Sequence, residues 1–298
     1  MNHLRLFALA CTLLFAACSG GEPAPGAQEQ RGNPANPLLY EIANADGEVE
    51  GWLLGTVHAL PDGTRWKTAK IDRAIEQADI LFVEFADLAD GQGQTAATFA
   101  KLSQTPGLGP LTFRVEPELR PALDRMLERS DIPRRDFETI EDWAAAVMLS
   151  RVDARGKPAN GADRAVIAGF ADRPVLGFET AASQLAIFDR LPPGEQTDLL
   201  EGTVREWTGS RGDPEWLIAA WLAGDEARLT RATREGILAD PELREALLTG
   251  RNRSWMAALE PALRGDDRPL VAVGAAHLLG PDGLAALLEA EGYAVRRM

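Results

Sequence analysis

A chain of 298 residues with 45 acidic against 31 basic side chains and a net charge of -14 has no basic surplus for neutralising phosphates, which argues against nucleic acid as a partner. With 45% apolar residues it can bury a core without disulfide support. Its two cysteines, Cys11 and Cys18, both lie near the amino terminus, which excludes thiol catalysis and thiolate metal ligation in the body of the protein.

The chain opens like an export signal. Arg5 supplies a charged start, Leu6 to Ala17 an apolar stretch, and Phe15-Ala-Ala-Cys18 a small-residue end. That stretch is shorter than the roughly 20 apolar residues needed to span a bilayer, so residues 1–17 read as a signal peptide and not as an anchor. A cysteine after two alanines and before Ser19 resembles a bacterial lipoprotein processing site, with Cys18 lipidated as the new amino terminus. Phe15 stands where leucine is usual, and plain cleavage with release into the periplasm is the alternative. Serine rather than aspartate after the cysteine favours sorting to the outer membrane. The expected location is therefore the periplasmic side of a bacterial envelope, with the membrane engaged through an N-terminal lipid. Residues 18–37 are rich in Gly, Pro, Gln and Asn and read as a flexible tether, which leaves 38–298 as one domain.

That domain begins with two strands, 38–43 and 50–54, around a hairpin turn at Asn44-Ala-Asp-Gly47. The second strand runs into Gly55-Thr-Val-His58. Helical spacing follows over 66–77, then a continuous apolar run, 79–85, of the kind that forms buried parallel strands; it carries Glu84 at its end. Helices are predicted at 118–129, 140–152, 162–170, 181–188, 194–208, 214–222, 225–233, 241–248 and 251–263. Only 174–178 interrupts them as a strand, followed by Glu179. Residues about 190–250 read as an inserted helical cap. A strand at 268–273, Gly274-Ala-Ala-His277, a helix at 281–291 and a strand at 293–297 close the chain. The predicted fold is α/β: a central mixed, mainly parallel sheet with flanking helices and a helical insertion.

Of the three histidines, His3 lies in the leader, and His58 and His277 share one phrase: an apolar strand, G-x-x-H, then Pro-Asp-Gly. Histidine suits metal ligation and proton transfer near neutral pH, and two equivalent settings suggest one shared site. Each could instead be a buried histidine hydrogen-bonded at a strand end. Glycine before each allows a sharp turn or close approach, and the aspartates of the two turns, Asp62 and Asp282, are expected to cap the helices that follow. Glu84 and Glu179 end apolar strands, where a carboxylate is costly unless paired or bound to a metal. Arg251, opening a late helix, is placed either to hold an anionic substrate group or orient a carboxylate through a bidentate pair, or to face solvent. Two histidines with carboxylates and no cysteine form an oxygen and nitrogen site suited to a divalent first-row metal. Metal-free acid–base catalysis by the histidines is the competing assignment. No G-x-S-x-G elbow supports a serine triad.

The paired G-x-x-H motifs, Glu84, Gly177-Phe-Glu179 with Gln184 and Phe188-Asp-Arg-Leu-Pro192, and Arg251-Asn252 together resemble the TraB/PrgY/GumN family, and most nearly its GumN-like bacterial branch. The family is similar to the Tiki proteins, membrane-tethered metalloproteases, and to the fold of the haem-binding ChaN and erythromycin esterase group. The resemblance implies a metal-dependent hydrolase, peptidase-like, with His58, His277 and Glu84 holding manganese, cobalt or zinc. Glu84, Glu179 and Arg251 would be the catalytic and supporting residues, and a peptide or protein of the envelope the substrate. A non-catalytic module that binds a peptide, haem-like or glycan ligand is the alternative, and an envelope scaffold a weaker one.

Overall fold

The computed structural model describes residues 34–86, 92–154, 156–209 and 215–298. The expected signal peptide, Cys18 and the tether up to residue 33 lie outside the described residues, as does Pro214 of the predicted 214–222 helix. Asn36 and Pro37, expected to be part of a flexible tether, are instead held by hydrogen bonds: Asn36 N–H donates to Leu222 O, and Arg297 donates to the carbonyls of Asn36 and Pro37. No helix among the described residues is long and apolar enough to cross a membrane.

The Asn44 to Gly47 turn closes as expected, with Gly47 at φ 84° and the Asn44 Oδ1 accepting from the main chain of Asp46 and Glu48. It joins β1 (Leu39–Ala43) to β2 (Val49–Thr56) in antiparallel register. Helix α1 (Ala69–Gln77) starts later than predicted because the Thr68 hydroxyl caps it, accepting from Ile71 N–H. Strand β3 (Ile80–Phe85) follows, then α2 (Gln92–Leu102), which the periodicity did not predict. Helices α3 (Arg120–Arg129), α4 (Asp142–Leu149) and α5 (Ala162–Ala168) precede β4 (Val175–Glu179). Then come α6 (Ala181–Asp189), α7 (Pro193–Gly209), α8 (Trp216–Ala223), α9 (Glu226–Ala232) and α10 (Pro241–Arg244). A π-helical turn, Glu245–Thr249, leads into α11 (Gly250–Leu263), and β5 (Pro269–Gly274), α12 (Leu284–Ala290) and β6 (Ala294–Arg297) complete the chain.

The sheet order is β4-β3-β5-β2-β1-β6. β5 runs parallel to both β2 and β3 and lies between them, so the last G-x-x-H strand is inserted beside the first. β4 extends the parallel set beyond β3, while β1 is antiparallel to both its neighbours. The result is the mixed, mainly parallel α/β sheet expected.

Two apolar cores flank the sheet's carboxyl rim. The first joins the strands to α1, α5, α8, α11 and α12 through residues such as Leu54, Val271, Ile71, Trp221 and Leu288. The second is helical and gathers Phe99, Met126, Trp143, Leu185, Leu199 and Leu247. The helical body therefore draws on α2 to α4 as well as on the region about 190–250. Within that region, α8 and α9 pack on the sheet instead, where Trp221 Nε1 donates to Gly55 O at 2.8 Å. Ala275 and Leu278 belong to the first core and Ala276 to the second, so His277 stands on the seam between them.

Candidate functional site

Parallel pairing aligns four strand ends on one rim. Thr56 lies opposite Gly274, Val83 opposite Ala272, and Phe85 opposite Glu179. His58 follows β2, Glu84 is the penultimate residue of β3, Glu179 ends β4, and His277 sits in a 3-10 turn, Ala275–Leu278, after β5. Ligand sites of open α/β sheets form at such carboxyl ends. Two glycines make the convergence possible. A Cβ on Gly55 would lie 3.1 Å from Ala275 Cα, so its absence lets the second motif's turn pack against the first strand. A Cβ on Gly274 would lie 3.1 Å from Glu84 Oε1, 3.6 Å from His58 Nε2 and 3.7 Å from His277 Cδ2, so this position opens the centre of the site.

Glu84 is the hub. Its Oε1 accepts from Gly274 N–H at 2.9 Å and faces His58 Nε2 at 3.5 Å. Its Oε2 accepts from Arg251 Nη2 at 2.8 Å and from Gln184 Nε2 at 3.4 Å. Burial would raise its pKa, but Arg251, then His58 and His277, outweigh burial and hold the carboxyl well below its ordinary range. Arg251, which opens α11, grips Glu179 in bidentate fashion, Nε to Oε1 at 2.8 Å and Nη2 to Oε2 at 2.9 Å. Its side chain is only 8% exposed, which decides between the two sequence readings in favour of an internal ion pair. Trp255 Nε1 donates to Glu179 Oε1, and the Trp255 ring lies 4.3 Å from that of His277.

The two imidazoles are anchored in parallel ways. His277 Nδ1–H donates to Asn252 Oδ1 at 2.6 Å, and the amide of Asn252 is itself oriented by donation from Nδ2 to Asp282 O. That chain leaves a lone pair on His277 Nε2, which accepts from Arg251 Nη1 at 3.3 Å. His58 Nδ1–H donates to Asp163 Oδ2 at 3.3 Å, at the start of α5. A Cβ on Gly161 would lie 2.5 Å from His58 O, so only glycine lets α5 approach this closely.

Their electrostatics are opposite. Burial depresses His58, but Asp163 and Glu84 outweigh it and raise the pKa to about 10. Burial depresses His277 to about 3, with Arg251 and His58 reinforcing the shift against Glu84. One imidazole is a cation at neutral pH and the other is neutral.

The rim residues read from the sequence, His58, Glu84, Glu179, Arg251 and His277, therefore belong to one connected network, while Cys18 lies outside the described residues. Asp163, Trp255 and the Gly274 N–H join the network without a sequence signal of their own, and Asn252 and Gln184 stand out in the sequence only beside Arg251 and the Gly177-Phe-Glu179 segment. Asp163 gave no signal, since an acid in the first turn of a helix is ordinary. The turn aspartates do not cap helices as expected. Asp62 pairs with Lys157 and Asn160, Asp282 with Arg244, and α12 has Gly283 at its N-cap.

The donor types are those a divalent first-row ion takes, two imidazole Nε2 atoms and a carboxylate oxygen, with each Nδ1 held by an oxygen. Asp163 Oδ1 and Gln184 Oε1 are buried without a hydrogen-bond partner, leaving acceptors for a further group beside His58 and Glu84. Arg251, however, stands between His277 and Glu84. Among the described residues, ligand atoms of three groups lie within 4.8 Å of one another at Glu195, Asp240 and Glu242 and not at the rim.

Fold and site together define an α/β protein with a buried ionic site of two histidines, two glutamates and an arginine at the carboxyl ends of its parallel strands. The profile of the TraB/PrgY/gumN family matches residues 38–297, and the chain belongs to that family. Neither the curated proteins nor the solved structures yield a match.

Proposed function

We propose that this protein is a metal-dependent hydrolase of the bacterial envelope, exported, lipid-anchored at Cys18 and acting on a peptide bond. The observation that carries the reading is the pair of imidazoles, each anchored at Nδ1 and turning Nε2 toward the Glu84 and Arg251 pair. His58 Nε2, His277 Nε2 and Glu84 Oε1 would hold manganese, cobalt or zinc. Such an ion supplies Lewis acidity and lowers the pKa of a bound water.

The chain's own residues have separable tasks. Asp163 and Asn252 fix the two ring orientations, and Glu84 is the carboxylate placed to ligate or to take a proton. Glu179 is a positioning residue, since both its oxygens are spent on Arg251 and Trp255. His58 carries a proton between Asp163 and Glu84 that ligation at Nε2 would displace, so metal uptake would liberate protons.

One observation favours a second reading, metal-free acid–base catalysis: the Arg251 guanidinium bonds both His277 Nε2 and Glu84, and His58 is already a charged proton donor. Elemental analysis after saturation with manganese, cobalt or zinc separates the two. Bound metal that is lost in both His58→Ala and His277→Ala is expected; none bound overturns the metal mechanism. A peptide-library digest adds the remaining arms. Product only with metal supports the proposed enzyme, product without metal the second reading, and saturable binding without product a binding module.

A further inference from the structure

The two edges of the sheet are unlike. β6 is guarded by Arg296 and Arg297, and Arg297 is tied to the carbonyls of Asn36, Pro37 and Leu39. β4, Val175-Leu-Gly-Phe-Glu179, carries no basic residue, and the adjacent Arg173 is turned back onto the carbonyls of Ile75, Ala78 and Gly169. Proteins ordinarily protect a free edge with charge, proline or a covering segment.

β4 pairs with β3 alone. Leu81 N–H donates to Pro174 O, so the alternation of a strand turns the main chain of Leu176 and Phe178 toward β3 and that of Val175, Gly177 and Glu179 outward. Among the described residues those three outward groups make no main-chain pairing. Gly177 is exposed, and Leu176, at 45%, is among the few exposed large apolar side chains. The strand ends at Glu179, inside the ionic site.

We infer that the outer edge of β4 is the substrate track: an extended peptide adds to it as a further strand, and its end is delivered to Glu84, Arg251 and the histidines. Only an extended backbone offers alternating donors and acceptors at the required spacing, and Leu176 provides an apolar contact for alternate side chains. The strand leads into the ionic site at Glu179, which favours a peptide delivered there over a second copy of this chain, whose pairing is an outcome of the test. The inference rests on the peptide-hydrolase reading for the substrate class, but its test is independent of turnover.

The probe is a blocked fluorescent peptide alternating valine and threonine, titrated against the full chain carrying Glu84→Gln so that no cleavage intervenes. Binding should slow amide exchange at Val175, Gly177 and Glu179, and N-methylation of the peptide should weaken it by roughly tenfold at alternate positions only. Leu176→Lys should weaken it similarly while leaving the unfolding midpoint unchanged. Binding without edge protection, uniform sensitivity to N-methylation, or no binding at all overturns the track. Loss of self-association in Leu176→Lys with peptide affinity intact would assign the edge to a second copy. An inactive protein that still shows the alternating pattern retains the track and loses only the hydrolase reading.

Discussion

His58 and His277 end adjacent parallel strands with the same G-x-x-H phrase, yet one imidazole is raised to about 10 and the other lowered to about 3. The backbone of the two regions is matched; the neighbours are not. His58 receives two carboxylates, Asp163 from α5 and Glu84 from β3, whereas His277 receives a neutral amide, an indole face and the Arg251 guanidinium. A repeated motif therefore fixes where a side chain emerges and not what it does there. Charge at each end is assigned by neighbours from elsewhere in the chain, Glu84 on β3 and side chains of α5 and α11.

The most severe way to break this contrast is Arg251→Met. Two buried carboxylates lose their partner, and removing one member of such a network costs about 3–5 kcal/mol. Urea unfolding reads the loss, and imidazole NMR should show His277 titrating closer to an ordinary histidine. A His277 that still refuses a proton would mean that burial alone sets it.

Asn252→Ala is expected to cost about 1–3 kcal/mol, because a buried imidazole N–H is left unsatisfied. Nitrogen NMR should then report a mixed His277 tautomer, whereas an unchanged tautomer would remove the Asp282 to Asn252 relay from the account.

The pH dependence of stability sharpens the comparison without removing a contact. The unfolded chain protonates His277 near 6.5 and the folded chain only near 3, so stability is lost as pH falls across that window. Glu84, ionised in the fold well below its ordinary 4.5, deepens the same acid limb. His58 acts on the other side: folded it keeps its proton to about pH 10, so its contribution is complete below 6.5 and is lost as pH rises through 10. His277→Gln should flatten the acid limb and His58→Gln the alkaline one. Equal profiles for the two variants would sink the asymmetry.

The smallest effects belong to the paired turns. Asp282→Ala removes a half-exposed bridge to Arg244 and should cost under about 1 kcal/mol by chemical unfolding. Asp62→Ala, at the corresponding place after His58, should leave the melting temperature unchanged, since its pairing with Lys157 is at the surface.

Local signals carried much of the fold. Alternation and apolar runs located all six strands, and Asn44 to Gly47 announced its hairpin. Helix ends shifted where a cap was decisive, as at Thr68, and α2 escaped because its alanines, threonines and glutamines define no clear apolar face. The polar ends of β3 and β4 exposed Glu84 and Glu179, since a carboxylate closing an apolar strand demands a partner. The sequence offers Arg251 as a bidentate partner for a carboxylate but leaves a solvated arginine equally open, because nothing local distinguishes a buried arginine from an exposed one.

The sequence by itself determined that His58, Glu84, Glu179 and His277 lie at or just past the ends of four strands, because strand period and strand termination are local properties of the chain. Only the tertiary structure decided that β5 inserts between β2 and β3, which brings residues from both ends of the domain onto one rim. It also decided that Asp163 meets His58 and that Asn252 and Arg251 meet His277. Charge state depends on what surrounds a group in space, and beside Glu84 those surroundings arrive from α5 and α11, distant in sequence from the histidines they meet.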